Sequence, residues 1–383
     1  SVEITRIDAW SLRLRGDAHE VLIVADRDVF PAVYRVLQQD GALLEPPTMR
    51  RDGESVRIHA SRADPLGQDA RGCLGEIIGV QSVRTAAPVV FVRRGGPLFT
   101  DGTTMVALAE EEGVSLGELA LRYEASLLGV PEKSVLDEVL RRYGVMETSV
   151  QRGLAAELPS MQLLRPSAGM IYRAEAEGRL AVGGLHTRSA ARAMAVMHVN
   201  GGMGVVCAAP TAGSAGVIPG TVVTMAEEWD LERRDTALAL LAASAIGVVV
   251  GARATFAAEV AGCQVEIGAA GAMAAAAVVE VVGGSASQAA DAAAIALQNS
   301  MGSVCDMVQG VVEIPCHTRN AAAASSAFVC ADLILGGYEN PIPLDETIDA
   351  VYATGRMLPR ALKCTALGGL ADTPSARNLP RLR

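Results

Sequence analysis

In the first hundred residues, apolar positions recur at two spacings, one typical of strands and one typical of helices. Residues 4–14 and 20–25 have the apolar pattern of strands. In residues 29–39, valine and leucine return every three or four positions, which predicts an amphipathic helix. Further strands are predicted at 55–60 and 89–93, and a second helix around 74–78. These signals favour a βαββαβ ferredoxin-like sandwich.

After a Gly-Gly-Pro turn at residues 95–97, the apolar spacing is helical almost throughout. Ser115 and Glu118 form a capping-box signature that predicts the start of one helix, and a second helix is predicted after Pro131. We therefore expect an α+β protein. Its predicted parts are a ferredoxin-like α/β sandwich over 1–98, a linker over 99–112 and a large all-α domain over 113–383.

Residues 236–252 form a run of 17 residues without a charge. This length is marginal for crossing a bilayer, and small residues are frequent in it. Because Arg233, Arg234 and Asp235 precede the run and Arg253 follows it, we interpret it as a buried central helix and expect no membrane contact.

Composition narrows the function classes. Half of the residues are apolar but only 3% are aromatic, so alanine, valine and leucine must fill the core. A net charge of −10 argues against a nucleic-acid partner, which would favour a basic face. The first residues lack the basic end and apolar run of a signal peptide. Seven cysteines, an odd number, are then expected to be reduced thiols in the cytoplasm.

Three of these cysteines, Cys263, Cys305 and Cys316, lie close together in the last third of the chain. Three thiolates can hold three irons of a [4Fe–4S] cluster and leave the fourth iron open, an arrangement suited to Lewis-acid chemistry. Buried structural cysteines would give the same spacing, so the spacing alone leaves both interpretations open.

Four segments carry a resemblance to a known family. They are Asn-Gly-Gly-Met-Gly-Val-Val-Cys-Ala-Ala-Pro-Thr-Ala-Gly-Ser-Ala-Gly-Val-Ile-Pro-Gly (200–220), Gly-Cys-Gln-Val-Glu-Ile-Gly (262–268), Cys-Asp-Met-Val-Gln-Gly-Val-Val-Glu-Ile-Pro-Cys-His-Thr-Arg-Asn-Ala (305–321) and Leu-Gly-Gly-Leu-Ala-Asp-Thr-Pro-Ser-Ala (367–376). In this order they resemble the α chain of iron–sulfur-dependent L-serine dehydratases. The resemblance implies a lyase that holds a [4Fe–4S] cluster on Cys263, Cys305 and Cys316. It also implies β-elimination from L-serine to pyruvate and ammonia, with the open iron activating the leaving group.

The resemblance extends to the N-terminal unit, where residues 21–28 and 77–84 are similar to segments of ACT domains, which bacterial serine dehydratases often carry. Asp26-Arg27-Asp28 lacks the glycine with which ACT domains approach an amino-acid ligand. A structural or dimerising role, and hence a homo-oligomer, is therefore favoured over ligand sensing.

Substrate-binding residues are expected around the segment 209–216, where small residues and two hydroxyls precede an apolar helix. Such a turn can hold a carboxylate on backbone N–H groups. With the resemblance, the predicted contacts to a small amino-acid substrate are Asn200, Thr211, Gly213, Ser214, Arg319 and Asn320. An arginine can clamp a carboxylate, although each of these polar residues could instead be simply solvated.

His198 and His317 are the candidate catalytic residues, because each lies beside a motif segment. A histidine in such a position is also a common core or surface group. Pyridoxal phosphate is not expected. The chain has two lysines, and of these Lys133 falls on the charged side of a helix, which leaves Lys363 alone to form a Schiff base.

Two departures from the family pattern leave alternatives open. The sequence contains nothing like the Gly-Pro-Ser-Ser-Ser-His-Thr segment of the family's β domain, so a separate β-type chain is a possible partner that supplies the base. Cys364 stands where the family has a glutamate, and it could become a fourth ligand by folding back. The alternatives are elimination from threonine, cysteine or a specialised-metabolite amino acid, or a non-catalytic, cluster-bearing regulatory subunit.

Overall fold

A computed structural model describes residues 18–52, 55–86, 95–158 and 161–382. The chain divides into two compact units between residues 94 and 95. Most of the described residues are helical, and a small antiparallel sheet lies in the N-terminal unit. The predicted α+β layout is therefore confirmed.

The first unit has the element order βαββαβ. Its elements are β1 (His19–Ala25), α1 (Phe30–Gln39), β2 (Thr48–Asp52), β3 (Ser55–Arg62), α2 (Gln68–Glu76) and β4 (Val80–Ala86). The strands form one antiparallel sheet in the order β2-β3-β1-β4, with Ile23 of β1 opposite Ile58 on one side and Val83 on the other. Alternate residues of β1 and β3 pack against Val33 and Leu37 of α1 to form a separate core.

Strand β1 and helix α1 lie where the apolar spacing predicted them, whereas three other elements differ. Strand β2 was not predicted, because Thr-Met-Arg-Arg-Asp has the polar composition of an edge strand. Helix α2 ends at Glu76 rather than extending through Ile78, and β4 already starts at Val80. The predicted strands at 4–14 and 89–93 lie outside the described residues.

The second unit is built from helices. They are α3 (Gly102–Glu112), α4 (Leu116–Leu128), α5 (Glu132–Ala155), α6 (Ala168–Ala176), α7 (Leu185–Gly201), α8 (Val217–Glu228), α9 (Arg233–Arg253), α10 (Ala258–Ala261), α11 (Ile267–Val281), α12 (Ala286–Ser300), α13 (Cys316–Leu335), α14 (Leu344–Met357) and α15 (Pro374–Arg377). Short 3₁₀ turns lie between them, including Ala212–Ser214 before α8 and Cys263–Val265 before α11.

Helix α3 occupies most of the segment that was predicted to be a linker, residues 99–112. Asp101 caps this helix by accepting a hydrogen bond from the N–H of Thr104, and Met105 and Ala109 are buried in the core of the second unit. The segment is therefore a packed element rather than a linker, because its buried apolar residues Met105 and Ala109 lie four residues apart on one helical face.

Helices α9 and α11 form the centre of the second unit. The described part of the chain contains two helical segments that are long enough and apolar enough to cross a membrane, judged by length and composition alone: Arg233–Arg253 and Cys263–Val281. Their most apolar windows are 72% and 83% buried inside the fold, as is usual for core helices. This burial agrees with the prediction that residues 236–252 form a central helix.

Glycine and alanine allow the helices around this centre to pack closely. A Cβ atom on Gly220 of α8 would lie 2.7 Å from the Cβ of Ala193 on α7. A Cβ on Gly153 of α5 would overlap the backbone of Ala195, which is also on α7. Helix α7 is thus in close contact with both α5 and α8. These contacts fix the position of the C-terminal end of α7, which carries His198 and Asn200.

Candidate metal and substrate site

Two of the predicted ligand cysteines meet in the interior of the second unit. Cys263 lies in the 3₁₀ turn before α11, and Cys305 lies in the loop between α12 and α13. Their thiol sulfurs and a carboxylate oxygen of Glu266 all lie within 4.8 Å of one another. Both cysteines are 2% exposed, so the two thiols are shielded from solvent, while Glu266 is partly buried.

The third predicted ligand, Cys316, is the first residue of α13 and is also buried. Burial raises the pKa of its thiol to about 12, and the nearby Cys263 and Glu266 add to the effect. Cys316 therefore shares the electrostatic surroundings of the other two cysteines, although its sulfur is not part of the tight group. Buried thiols deprotonate readily when a metal cation compensates their charge, so this set of soft donors fits an iron–sulfur group.

Arg319 provides positive charge beside the thiols. Its Nη1 lies 3.8 Å from the Sγ of Cys263, and it donates a hydrogen bond to the carbonyl of Val304 at 2.7 Å. The same nitrogen forms an ion pair with Asp306 at 2.9 Å. The thiol of Cys305 and the guanidinium of Arg319 lower the pKa of Cys263, which is thus the thiol most easily ionised.

The small-residue turn that was expected to bind substrate lies against Glu266. Thr211 donates a hydrogen bond from its Oγ1 to Glu266 at 2.6 Å, and Ser214 lies 3.0 Å from the same hydroxyl. A Cβ atom on Gly213 would lie 2.5 Å from the Glu266 carboxylate, so a larger residue would displace that carboxylate. The turn and the thiols are therefore joined through one partly buried acidic side chain.

Two asparagines hold the turn in place. The side chain of Asn320 donates to the carbonyl of Gly213 at 2.9 Å and accepts from the N–H of Gly216 at 3.1 Å. Asn200 donates to the carbonyl of Ala212 at 3.0 Å. The structure thus brings five of the six predicted substrate residues together around one turn, while Arg319 lies on the thiol side.

His198 and His317 form a buried pair, with 3.0 Å between their Nδ1 atoms. The Nε2 of His198 accepts hydrogen bonds from the N–H groups of Ser167 at 3.1 Å and Ala168 at 3.3 Å. Because these donors cannot accept a proton, His198 carries its proton on Nδ1 and donates it to Nδ1 of His317. The proton of a neutral His317 is then on Nε2.

Burial keeps both imidazoles neutral. It lowers the pKa of His198 to about 4, an effect that the nearby Glu313 partly opposes. It lowers the pKa of His317 to about 3, with a further contribution from His198. At neutral pH the pair therefore acts as one fixed chain of hydrogen bonds.

A cavity of about 260 Å³ adjoins Cys263 and Arg319. Helices α11, α12 and α13 line it with small side chains, including Gly268, Gly271 and Ala323. Ser300, Ser303 and Asn299 supply polar groups. The cavity has space for a small polar molecule next to the thiols.

Two carboxylates of the candidate site were not singled out from the sequence. Glu266 stands within the motif Gly-Cys-Gln-Val-Glu, and a charged residue in so apolar a stretch was the available signal. Glu313 is fully buried and accepts hydrogen bonds from the N–H groups of Gln162, Leu163 and Leu164 at 2.7–2.8 Å. It anchors the segment that leads into Cys316, a role that depends on contacts about 150 residues away.

Comparison with known proteins assigns the family. Residues 108–371 match the family model described as "Serine dehydratase alpha chain". The chain is 37% identical over 284 residues to a protein of Bacillus subtilis named "Probable L-serine dehydratase, alpha chain", covering 74% of this chain and 95% of that protein. It is 34% identical to the "L-serine dehydratase, alpha chain" of Peptoniphilus asaccharolyticus, covering 72% of this chain and 95% of that protein.

The chain belongs to the serine dehydratase alpha-chain family. The predicted resemblance and the prediction of a lyase of this type are thereby confirmed. A protein of Escherichia coli named "L-serine dehydratase 2" is 34% identical over 275 residues, but the alignment covers only 59% of its length. In this chain, the region that matches the family model contains the thiols, Glu266, the small-residue turn and the histidine pair.

Proposed function

We propose that this chain is the cluster-bearing α chain of an iron–sulfur-dependent L-serine dehydratase, which converts L-serine to pyruvate and ammonia by β-elimination. The observation that carries the proposal is the meeting of the buried thiols and the small-residue turn at Glu266. The names of the relatives support serine as the substrate class. The chain's own residues give the following division of roles.

Cys263, Cys305 and Cys316 would hold a [4Fe–4S] cluster. When bound, this group supplies a Lewis acid that makes the serine hydroxyl a feasible leaving group. Arg319 offsets part of the thiolate charge and fixes the loop of Cys305 through Val304 and Asp306. Its guanidinium is about one-quarter exposed, so it remains a candidate contact for the substrate carboxylate.

The small-residue turn would bind the carboxylate of serine. Within the described residues, the N–H groups of Ala212 and Gly213 have no hydrogen-bond acceptor, and they lie just before α8. Two free N–H groups in such a turn suit an anion. Thr211, Ser214, Asn200 and Asn320 then act as positioning residues, because their hydrogen bonds fix the direction of these donors.

The elimination removes the Cα proton and releases hydroxide from Cβ, which gives aminoacrylate. This product hydrolyses to pyruvate and ammonia without further catalysis. His317 is the candidate that adjoins a cluster ligand, but its Nε2 carries a proton as long as His198 accepts from Ser167 and Ala168. The pair therefore donates a hydrogen bond and does not accept the Cα proton. We infer that a separate β-type chain supplies the general base.

The N-terminal unit is proposed to be an ACT-like domain with a structural or dimerising role. Its element order and strand order are those of a ferredoxin-like fold. Under this proposal the enzyme is a homo-oligomer in the cytoplasm.

Purification without oxygen tests the proposed function. The protein should contain iron and sulfide, and with a β-type chain it should form pyruvate from L-serine faster than it forms 2-oxobutanoate from threonine or pyruvate from cysteine. Preference for another β-substituted amino acid would support the proposed site but show that L-serine is not its substrate. Iron and sulfide with no turnover under any of these conditions would favour a regulatory subunit.

A further inference from the structure

The three-helix cleft is the cavity of about 260 Å³ that α11, α12, α13 and their adjoining turns line beside the thiols. Its residues from α13 follow one another at helical spacing and so share one face of that helix: Arg319, Ala322, Ala323, Ser326 and Ala327. At a rise of about 1.5 Å per residue, this face is about 12 Å long. The cleft is therefore an elongated groove.

The cleft reaches from the thiols to the surface. Cys263 and Arg319 line its inner end, and the sulfur of Cys263 lies within 4.8 Å of the Glu266 carboxylate that contacts the small-residue turn. Asn299 and Ala322 line the same cleft and are exposed to solvent. The cleft therefore gives a path from solvent to Cys263, and the residues of the turn are not part of its lining.

Arg319 is the charged side chain in the described lining of the cleft. Its Nη1 is already bound to the carbonyl of Val304 and to Asp306. Within the described residues, its Nε and Nη2 have no hydrogen-bond acceptor, and the side chain is 28% exposed. The fork of a guanidinium matches the two oxygens of a carboxylate. Arg319 can thus bind a carboxylate while its third nitrogen stays anchored beside the thiols.

The rest of the lining is small and uncharged, so it neither fills the cleft nor repels an anion. A Cβ atom on Gly271 would have one neighbour within 4 Å outside its own helix, the Cβ of Ala323 at 3.8 Å. A Cβ on Gly268, in contrast, would lie 2.2 Å from the Oγ of Ser300. The cleft is therefore open between Gly271 and Ala323, and its walls already meet at Gly268.

We propose that the three-helix cleft binds the amino-acid substrate on its way to the thiols, and that Arg319 is the first residue to contact the substrate carboxylate. This inference rests on the proposed function, because it takes the substrate to be a small amino acid. It separates entry from reaction. Arg319 holds the carboxylate at the inner end of the cleft, and the N–H groups of the small-residue turn then receive it beside Glu266.

Cysteine labelling tests the proposal in the anaerobic, cluster-containing full chain. Ala323→Cys places a thiol in the cleft, and the control Val329→Cys places one at an exposed position of the same helix. Each variant is alkylated with iodoacetate, a small carboxylate, or with neutral iodoacetamide, and labelling is quantified by mass spectrometry. The ratio of the iodoacetate rate to the iodoacetamide rate should be at least about fivefold higher at position 323 than at 329, because Arg319 attracts the anion.

L-serine at saturating concentration should slow alkylation at position 323 and leave position 329 and the exposed native Cys73 unchanged. Missing protection at 323, in a protein that contains iron and sulfide and forms pyruvate with the β-type chain, would overturn the role of the cleft and leave the proposed function intact. Protein without iron and sulfide would overturn both.

A second variant narrows the cleft and gives a kinetic measurement. Gly271→Leu extends a side chain towards Ala323, and the matched control Gly144→Leu makes the same change at a glycine with open space around it. With the β-type chain, Gly271→Leu should raise KM for L-serine at least about tenfold, while kcat and iron content stay near those of the control. An unchanged KM at equal iron content would contradict entry through this cleft.

Discussion

Glu266 is the residue at which the two parts of the candidate site meet. Burial raises the pKa of its carboxyl group, while the hydrogen bond from Thr211 opposes that effect. A fully charged carboxylate next to an ionised Cys263 thiol would be costly in this partly buried position. The hydroxyl of Thr211 thus has two roles, since it offsets this charge and fixes the turn relative to Cys263.

The cysteines should differ sharply when each is replaced by serine. Loss of Cys263, Cys305 or Cys316 removes one of the anchoring thiolates, so each of these variants should lose iron and sulfide. Cys73, Cys207 and Cys330 serve as matched controls, and their replacement should cost about 1 kcal/mol of stability or less. Iron and sulfide analysis of all six variants provides the measurement. Retention of a full cluster after loss of Cys316 would show that its distance from the tight group reflects a structural role.

His198 should make the stability of the protein depend on pH. Burial lowers the pKa of its imidazole from 6.5 to about 4, so below pH 6.5 the unfolded chain binds a proton that the folded chain does not. This pKa difference contributes fully to the free energy of unfolding above pH 6.5. The contribution is lost between pH 6.5 and about 4, by about 1.4 kcal/mol per pH unit. His198→Asn should flatten this dependence in urea unfolding at pH 7.5, 6.5 and 5.5. The variant His186→Asn, at an exposed position, is the control, and a slope as steep in His198→Asn as in wild type would refute the assignment.

At the scale of the elements, helix α7 organises the site because it packs against α5, α8 and α13 and ends at the small-residue turn. Its contacts with α5 and α8 rely on Gly153 and Gly220, where the neighbouring backbones leave no room for a Cβ atom. The core of this region contains mostly alanine and valine, so the helices approach one another closely. The precision of the turn therefore depends on small residues that lie outside it.

Two glycines of helix α5 should respond oppositely to alanine. Gly153→Ala forces the new methyl group into the backbone of Ala195, which should destabilise the protein by about 1–3 kcal/mol. Gly144 has no neighbour within 4 Å of its hypothetical Cβ, so Gly144→Ala should stabilise the helix by about 0.5–1 kcal/mol. Urea unfolding of both variants measures the difference. Equal effects would mean that helix propensity, and not the contact with α7, decides the stability at Gly153.

Apolar spacing located the elements whose burial is one-sided or complete, such as β1, α1, α4 and α9. It failed for β2, a polar edge strand, and for α3, whose capping residue Asp101 stood in a turn-like Thr-Asp-Gly segment. Both errors have one physical cause: contacts from other elements stabilise these segments more than their own pattern does. Boundaries that depend on such contacts could not be read from local spacing.

At the scale of the whole second unit, motifs that are distant in sequence converge. The segments that carry Thr211, Cys263 and Asn320 were identifiable because each resembles a motif of the serine dehydratase alpha-chain family. Glu313 could not be assigned in the same way, since its role depends on hydrogen bonds to Gln162 and Leu163, about 150 residues away in the chain. Whether a polar residue positions a backbone or contacts a substrate is decided by such tertiary contacts.

The same tertiary contacts bear on whether this unit can catalyse elimination alone. His198 accepts two backbone hydrogen bonds, which places the proton of His317 on Nε2 and leaves the pair without a lone pair for the Cα proton. The isolated chain, with its cluster, should therefore form pyruvate from L-serine at least about a hundredfold more slowly than the chain with a β-type chain encoded nearby. Pyruvate formation is measured without oxygen, with and without that partner, at equal iron content. Full activity of the isolated chain would place the base within it, and His317→Asn and His198→Asn would then be expected to abolish that activity.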